Sequence, residues 1–128
     1  MIGEELLHLV YKASIGPPTS SLIVVPEHLG INAFQQPIID YLNGMRFVAD
    51  IKLVFKPHAL QFLITRHGNP QTLSYVWIIH TNVAEEQLYG QKFNGTIIYY
   101  QLDPYNVELA LKILATLDSG GDLKKIAV

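Results

Sequence analysis

Histidines, arginines and one acid–lysine pair are the side chains of this sequence whose types and spacing could do chemistry. His58 lies in Lys56-Pro57-His58-Ala59, a turn between two alternating runs, and His80 closes a third run. If the three runs pair as hairpins, the two imidazoles fall side by side across strands. Thr81, Asn82 and the start of a following helix lie at the same end. Two imidazoles near free helical N–H groups suit an anion or a metal. The same register gathers Arg46, Arg66 and His67 at the opposite end, where guanidinium groups could clamp phosphate or carboxylate through forked hydrogen bonds. His58, His80, Arg46, Arg66 and His67 are thus the candidate ligand-binding residues. Solvated turn and strand-end side chains are the plainer alternative for both groups.

Asp50-Ile51-Lys52 has the acid-x-Lys form of a large class of metal-dependent nucleases. The order helix, three strands, helix, strand also resembles the restriction-endonuclease-like core, which would imply metal-assisted hydrolysis. The chain departs from that pattern, because Leu60 to Arg66 and Leu73 to Thr81 contain no carboxylate. Hydrolysis through a metal needs clustered oxygen ligands, so Asp50 and Lys52 read better as a charge pair on a solvent-facing strand. Gly90-Gln-Lys-Phe-Asn-Gly95 lacks the Gly-Lys-Ser/Thr ending of a phosphate cradle, and no nucleophile elbow, His-Glu-x-x-His pair or dinucleotide fingerprint occurs. With no cysteine in the chain, disulfides, thiolate metal sites and cysteine nucleophiles are excluded. No metal site and no cofactor are expected, and no catalytic residue is assigned.

Aromatic side chains carry the other candidate surface. Tyr75 and Trp77 share one strand face, whereas Tyr99 and Tyr100 point to opposite faces of another strand. Tyr and Trp are enriched at interfaces, since one end is apolar and the other hydrogen-bonds. These four are the interface candidates, with ordinary core packing as the alternative.

Charge points the same way. In 128 residues, 9 Lys and Arg face 11 Asp and Glu, a formal net charge of −2. Nucleic-acid binders carry a clustered positive excess, and here the cations are scattered, so nucleic acid is not indicated. Charged residues are 16% of the chain, against about 25% in typical domains. Either uncharged polar side chains solvate the surface, or an oligomer buries an apolar part of it. The acidic start Met1-Ile-Gly-Glu-Glu argues against a secretory signal, and no apolar run is long enough to span a membrane. A cytoplasmic location is expected.

The elements that must position these residues follow from periodicity. Glu4 to Ala13 suits an amphipathic helix stopped by Gly16-Pro17-Pro18, and Ser21 to Val25 a buried strand. A helix is expected from near Pro37 to Asn43-Gly44. Runs at 47–55, 60–65 and 73–80 alternate with period two and are joined by short turns, the second at His67-Gly68-Asn69-Pro70. They predict an antiparallel three-stranded meander over about 46–81. Asn82 to Glu85 reads as a capping box, Thr96 to Leu102 as a strand, and Asp103-Pro104 as the start of an apolar, well-buried helix. Lys124 to Val128 would be an edge strand. The sum is one α/β or α+β layered domain, a mixed sheet with flanking helices.

The function these features favour is a small non-enzymatic binding or assembly module, a homodimer joined through an apolar, aromatic surface. The rivals are a small enzyme built on the scattered His, Arg and Asp50 side chains, and a nucleic-acid accessory protein using the arginine end.

Overall fold

The apolar run Ser20–Val25 (β1) forms the centre of a six-stranded sheet. The computed structural model describes residues 3–128, apart from the side chains of residues 69–71. The other strands are β2 (Val48–Lys56), β3 (Ala59–Arg66), β4 (Asn69–His80), β5 (Thr96–Gln101) and β6 (Asp122–Ala127), in the order β2-β3-β4-β1-β5-β6. β2, β3 and β4 form the expected antiparallel meander, while β1 runs parallel to both β4 and β5, and β6 parallel to β5. The domain is therefore α/β with a mixed sheet.

Among the described residues four helices cover it: α1 (Glu4–Ser14) and α2 (Asn32–Asn43) on one face, α3 (Ala84–Leu88) and α4 (Val107–Ala115) on the other. Alternation along the central strands feeds both cores. Ile23 and Val25 enter the first with Leu9, Val10, Ile38 and Phe62, whereas Leu22 and Val24 enter the second with Leu88, Ile97 and Ile113. A parallel strand covered on both faces is apolar throughout, as β1 is. Among the described residues no helix is long and apolar enough to cross a membrane.

Several local expectations are corrected. α2 starts at Asn32 and runs through Pro37. Proline removes a hydrogen bond to the carbonyl four residues back, here that of exposed Ala33, where water can replace it. Burial of Ile38 and Leu42, with Phe34, Ile39 and Tyr41 packed alongside, outweighs the loss. The second meander turn is only His67-Gly68, and Asn69 and Pro70 already belong to β4. Asn82 makes no cap: a 3-10 turn over Thr81–Val83 precedes α3, with no side-chain bond to either start. Asp103 caps a turn instead of a helix, accepting from the Tyr105 N–H at 2.9 Å. α4 begins at Val107, and its capping side chain is Asn106, which accepts from the Leu109 N–H at 3.2 Å.

The largest correction concerns burial. α4 is as apolar as expected, yet Ile113 is its one buried residue. Val107, Leu111 and Leu114 are 62%, 59% and 47% exposed. Spaced i, i+4, i+7, they form one outward stripe.

Candidate functional site

The carboxyl ends of β1, β4 and β5 meet at one edge of the sheet, and the β2–β3 turn arrives there too. His58 holds this turn with φ of 58°, an unusual value for a residue with a side chain. Its carbonyl accepts from the His80 N–H at 3.0 Å, and the two rings meet edge to face with Nδ1 atoms 3.0 Å apart. The two residues stand side by side, as the hairpin register predicts. His80 Nε2 lies 2.9 Å from the Leu29 carbonyl.

That geometry fixes the protons of the neutral pair. A carbonyl only accepts, so His80 carries its hydrogen on Nε2 and presents a lone pair at Nδ1. His58 must then donate from Nδ1, which leaves its Nε2 lone pair free. The arrangement locks the Leu29 loop to β4 and to the β2–β3 turn. One free imidazole lone pair is not a metal site, and among the described residues no group of three or more His, Asp or Glu could hold an ion.

Beside the pair, a crevice of about 380 Å³ opens between the loops that follow β1 and β5. Such crevices lie where outgoing loops part to opposite faces of an α/β sheet, the usual ligand position in doubly wound folds. β1 leads to α2 on one face, and β5 leads to α4 on the other. Glu27, His28, Thr81, Asp103 and Asn106 line it, over Tyr99. Burial, and then the Asp103 carboxylate, raise the Tyr99 phenol above its ordinary pKa, so it stays neutral. With two carboxylates and no lysine or arginine, the crevice repels phosphate. Glu27, His28 and Asp103 sit on separate loops and share no local spacing, so the sequence does not mark them as one site.

The opposite edge holds the arginines. Arg66 is the last residue of β3, on the face that carries Phe62 and Ile64, and only 4% exposed. Its Nη1 donates to the Gly16 carbonyl just beyond α1. His67 follows in the turn, its N–H bonded to the Phe47 carbonyl at 2.9 Å. Arg46 is exposed, its guanidinium 5.7 Å from the Phe47 ring centre. Ser14, Gly16, Phe47, Arg66 and His67 surround a cavity of about 190 Å³. The structure therefore joins Arg66 and His67 at one cavity, with Arg46 stacked outside it.

The aromatic candidates divide. Tyr99 is buried in the second core, and Tyr100 packs on Phe34 in the first, with ring centres 6.1 Å apart. Burial, followed by Glu5, raises the Tyr100 pKa. Trp77 is half-buried between Phe93, at 6.3 Å, and the Lys56 ammonium, at 5.6 Å. Half-buried Tyr75 opposes Leu63 on β3, and neither belongs to either core. Asp50 stands exposed on the edge strand β2 opposite Thr65. Among the described residues, apolar exposure gathers on and around α4, where Leu102 and Tyr105 add to the stripe. A groove of about 500 Å³ separates α3 from α4, with Leu88, Tyr89 and Ala115 in its walls. Lys112 crosses it, bonded to Glu85 and Glu108, and these bonds raise its pKa.

No family model and no curated protein matches the chain. Among solved structures, the chain is similar to the large terminase of a thermophilic bacteriophage, solved in complex with ADP. The TM-score is 0.54 at 10% identity, over 94% of this chain and 28% of the terminase. At that identity the likeness is one of fold, and the chain spans little more than a quarter of the terminase's length.

Proposed function

We propose that this chain is a non-enzymatic assembly module that pairs with a second copy of itself through α4 and the groove beside it. The observation that carries the reading is the stripe Val107, Leu111 and Leu114 on a helix that buries Ile113 alone. Contiguous apolar surface of this kind marks interaction sites. A helix over an open groove is self-complementary under a two-fold axis, since each copy offers both a ridge and a slot. Leu102 and Tyr105 on one side and Tyr89 on the other widen the patch toward the roughly 800 Å² per partner of a stable interface. The free edge of β6 is a poorer docking line, because Lys124 and Lys125 are exposed along it, and edge lysines oppose strand addition.

A nucleotide-binding reading draws on the terminase's ADP and on the crevice at the strand ends. The lining carboxylates Glu27 and Asp103 weigh against it, as does the absence of a glycine-rich loop after β1, where the sequence is Pro26-Glu27-His28-Leu29-Gly30. The terminase match takes in 28% of a longer protein, so a further segment of chain is the alternative cover for α4.

Light scattering over a concentration series tests the proposal. The chain should pass from monomer to dimer, and Leu111→Asp with Leu114→Asp should hold it monomeric with an unchanged circular dichroism spectrum. A wild-type chain that stays monomeric at the highest concentration overturns the pairing. A dimer that survives the double substitution moves the interface elsewhere.

A further inference from the structure

Arg66 is a buried cation with an unfinished set of partners. Buried arginines are nearly always paired with an anion. Arg66 has no carboxylate within ion-pair distance among the described residues. Nη1 is engaged by the Gly16 carbonyl, whereas Nε is buried without any hydrogen-bond partner among those residues. No protein bond to Nη2 is formed among them either. Nε and Nη2 project along the same side of the guanidinium plane and form the fork that accepts two oxygens of a carboxylate or phosphate.

The end of α1 does not account for this. The negative end of a helix dipole favours a nearby cation, and one carbonyl bond from Nη1 satisfies that attraction. It leaves the fork unused. The cavity of about 190 Å³ lies against this residue, and none of its lining side chains is acidic. Ser14 donates its hydroxyl to the Tyr11 carbonyl at 2.8 Å, His67 stands exposed at the rim, and Arg46 adds a second positive charge over Phe47. The volume admits a small oxyanion or one end of a larger ligand, and falls short of the usual range for enclosing a whole cofactor.

We infer that the cavity between the α1 terminus and the β3–β4 turn is an oxyanion site, in which the Nε–Nη2 edge of Arg66 grips two oxygens of a phosphate or carboxylate group and His67 closes the rim. The site is independent of α4, which lies on the other face of the sheet.

The test is a titration of the full chain, labelled with nitrogen-15, with inorganic phosphate and separately with acetate. Sodium chloride at matched ionic strength is the control. A saturable shift of the Arg66 Nε–H resonance is expected with at least one oxyanion and not with chloride, and the two arms show whether phosphate or carboxylate is preferred. Arg66→Lys keeps the charge and loses the fork, so the dissociation constant should rise at least tenfold; His67→Asn, in an exposed turn, should weaken binding by a few-fold. A non-saturating response equal to that of chloride overturns the site, as does saturable binding that Arg66→Lys leaves unchanged. Should Arg66→Lys fail to fold, the wild-type Nε–H titration still decides the matter.

Discussion

The two faces of the sheet are built by the same alternation and finished differently. Under α1 and α2, helices of 11 and 12 residues, every central strand sends large side chains into a closed core. On the other face the helices have 5 and 9 residues. They cover β1 and β5 but leave Leu63 and Tyr75 outside the core. α1 buries Leu6, Leu9, Val10 and Ala13 and presents charge outward, whereas α4 buries Ile113 and presents Val107, Leu111 and Leu114. A face finished with charge is complete in the single chain. A face finished with leucine and valine leaves apolar surface in water, which the proposed pairing would cover.

The strongest way to break this contrast is to truncate one apolar side chain on each face. Phe62 is fully buried in the first core, so Phe62→Ala should cost about 3–5 kcal/mol in urea unfolding. Leu111→Ala, in dilute protein, should change stability by no more than about 0.5 kcal/mol. Its cost should then grow with protein concentration, because association stabilises the folded state by mass action. A large loss at every dilution would mean that Leu111 packs within its own chain, and the contrast would fail.

A smaller effect is expected where the two faces are pinned together at the carboxyl edge. His80 bonds to the Leu29 carbonyl and to His58, tying the entry to α2 to the meander. His80→Phe keeps the ring and loses both bonds, which should cost about 1 kcal/mol and speed amide exchange in the Leu29 loop. Unchanged exchange there would show that the loop is held by its own turn, in which the Leu29 N–H bonds to the Pro26 carbonyl at 3.0 Å.

Which parts were legible from sequence follows from the range of the interactions. Period-two alternation over residues 47–80 is a local signal, and it yields the meander and with it the meeting of His58 and His80. The position of β1 between β4 and β5 has no such signal, since a continuous apolar run says only that both faces are covered. Pro37 misleads because helix rules weigh the lost bond, while the packing of Ile38 and Leu42 is tertiary. α4 misleads in the opposite sense. Seven apolar residues in a row of turns suggest burial, and burial is what a sequence of one chain cannot apportion between its own core and a partner. The meander register already brings Arg46 near Arg66 and His67, whereas Ser14 and Gly16, at the end of α1, reach Arg66 only in the folded chain.

The smallest effect separates the adjacent tyrosines that β5 sends to opposite faces. Burial is the first cause of both raised pKa values, and the second is Asp103 for Tyr99 and Glu5 for Tyr100. A raised pKa in the folded chain means that the unfolded chain releases the proton first. Stability is therefore unaffected below about pH 10, and falls as pH rises past it toward the folded-state values. In a phenolate absorbance titration, Tyr99 and Tyr100 should ionise above the ordinary phenol range. Asp103→Asn should bring only the Tyr99 step earlier, and Glu5→Gln only that of Tyr100. If either neutral variant moves both steps together, the two phenols share one environment and the sheet does not insulate its faces. If Tyr99 ionises in the ordinary phenol range in the wild-type chain, the second core is open to water, and the thin cover of α3 and α4 is looser than its packing implies.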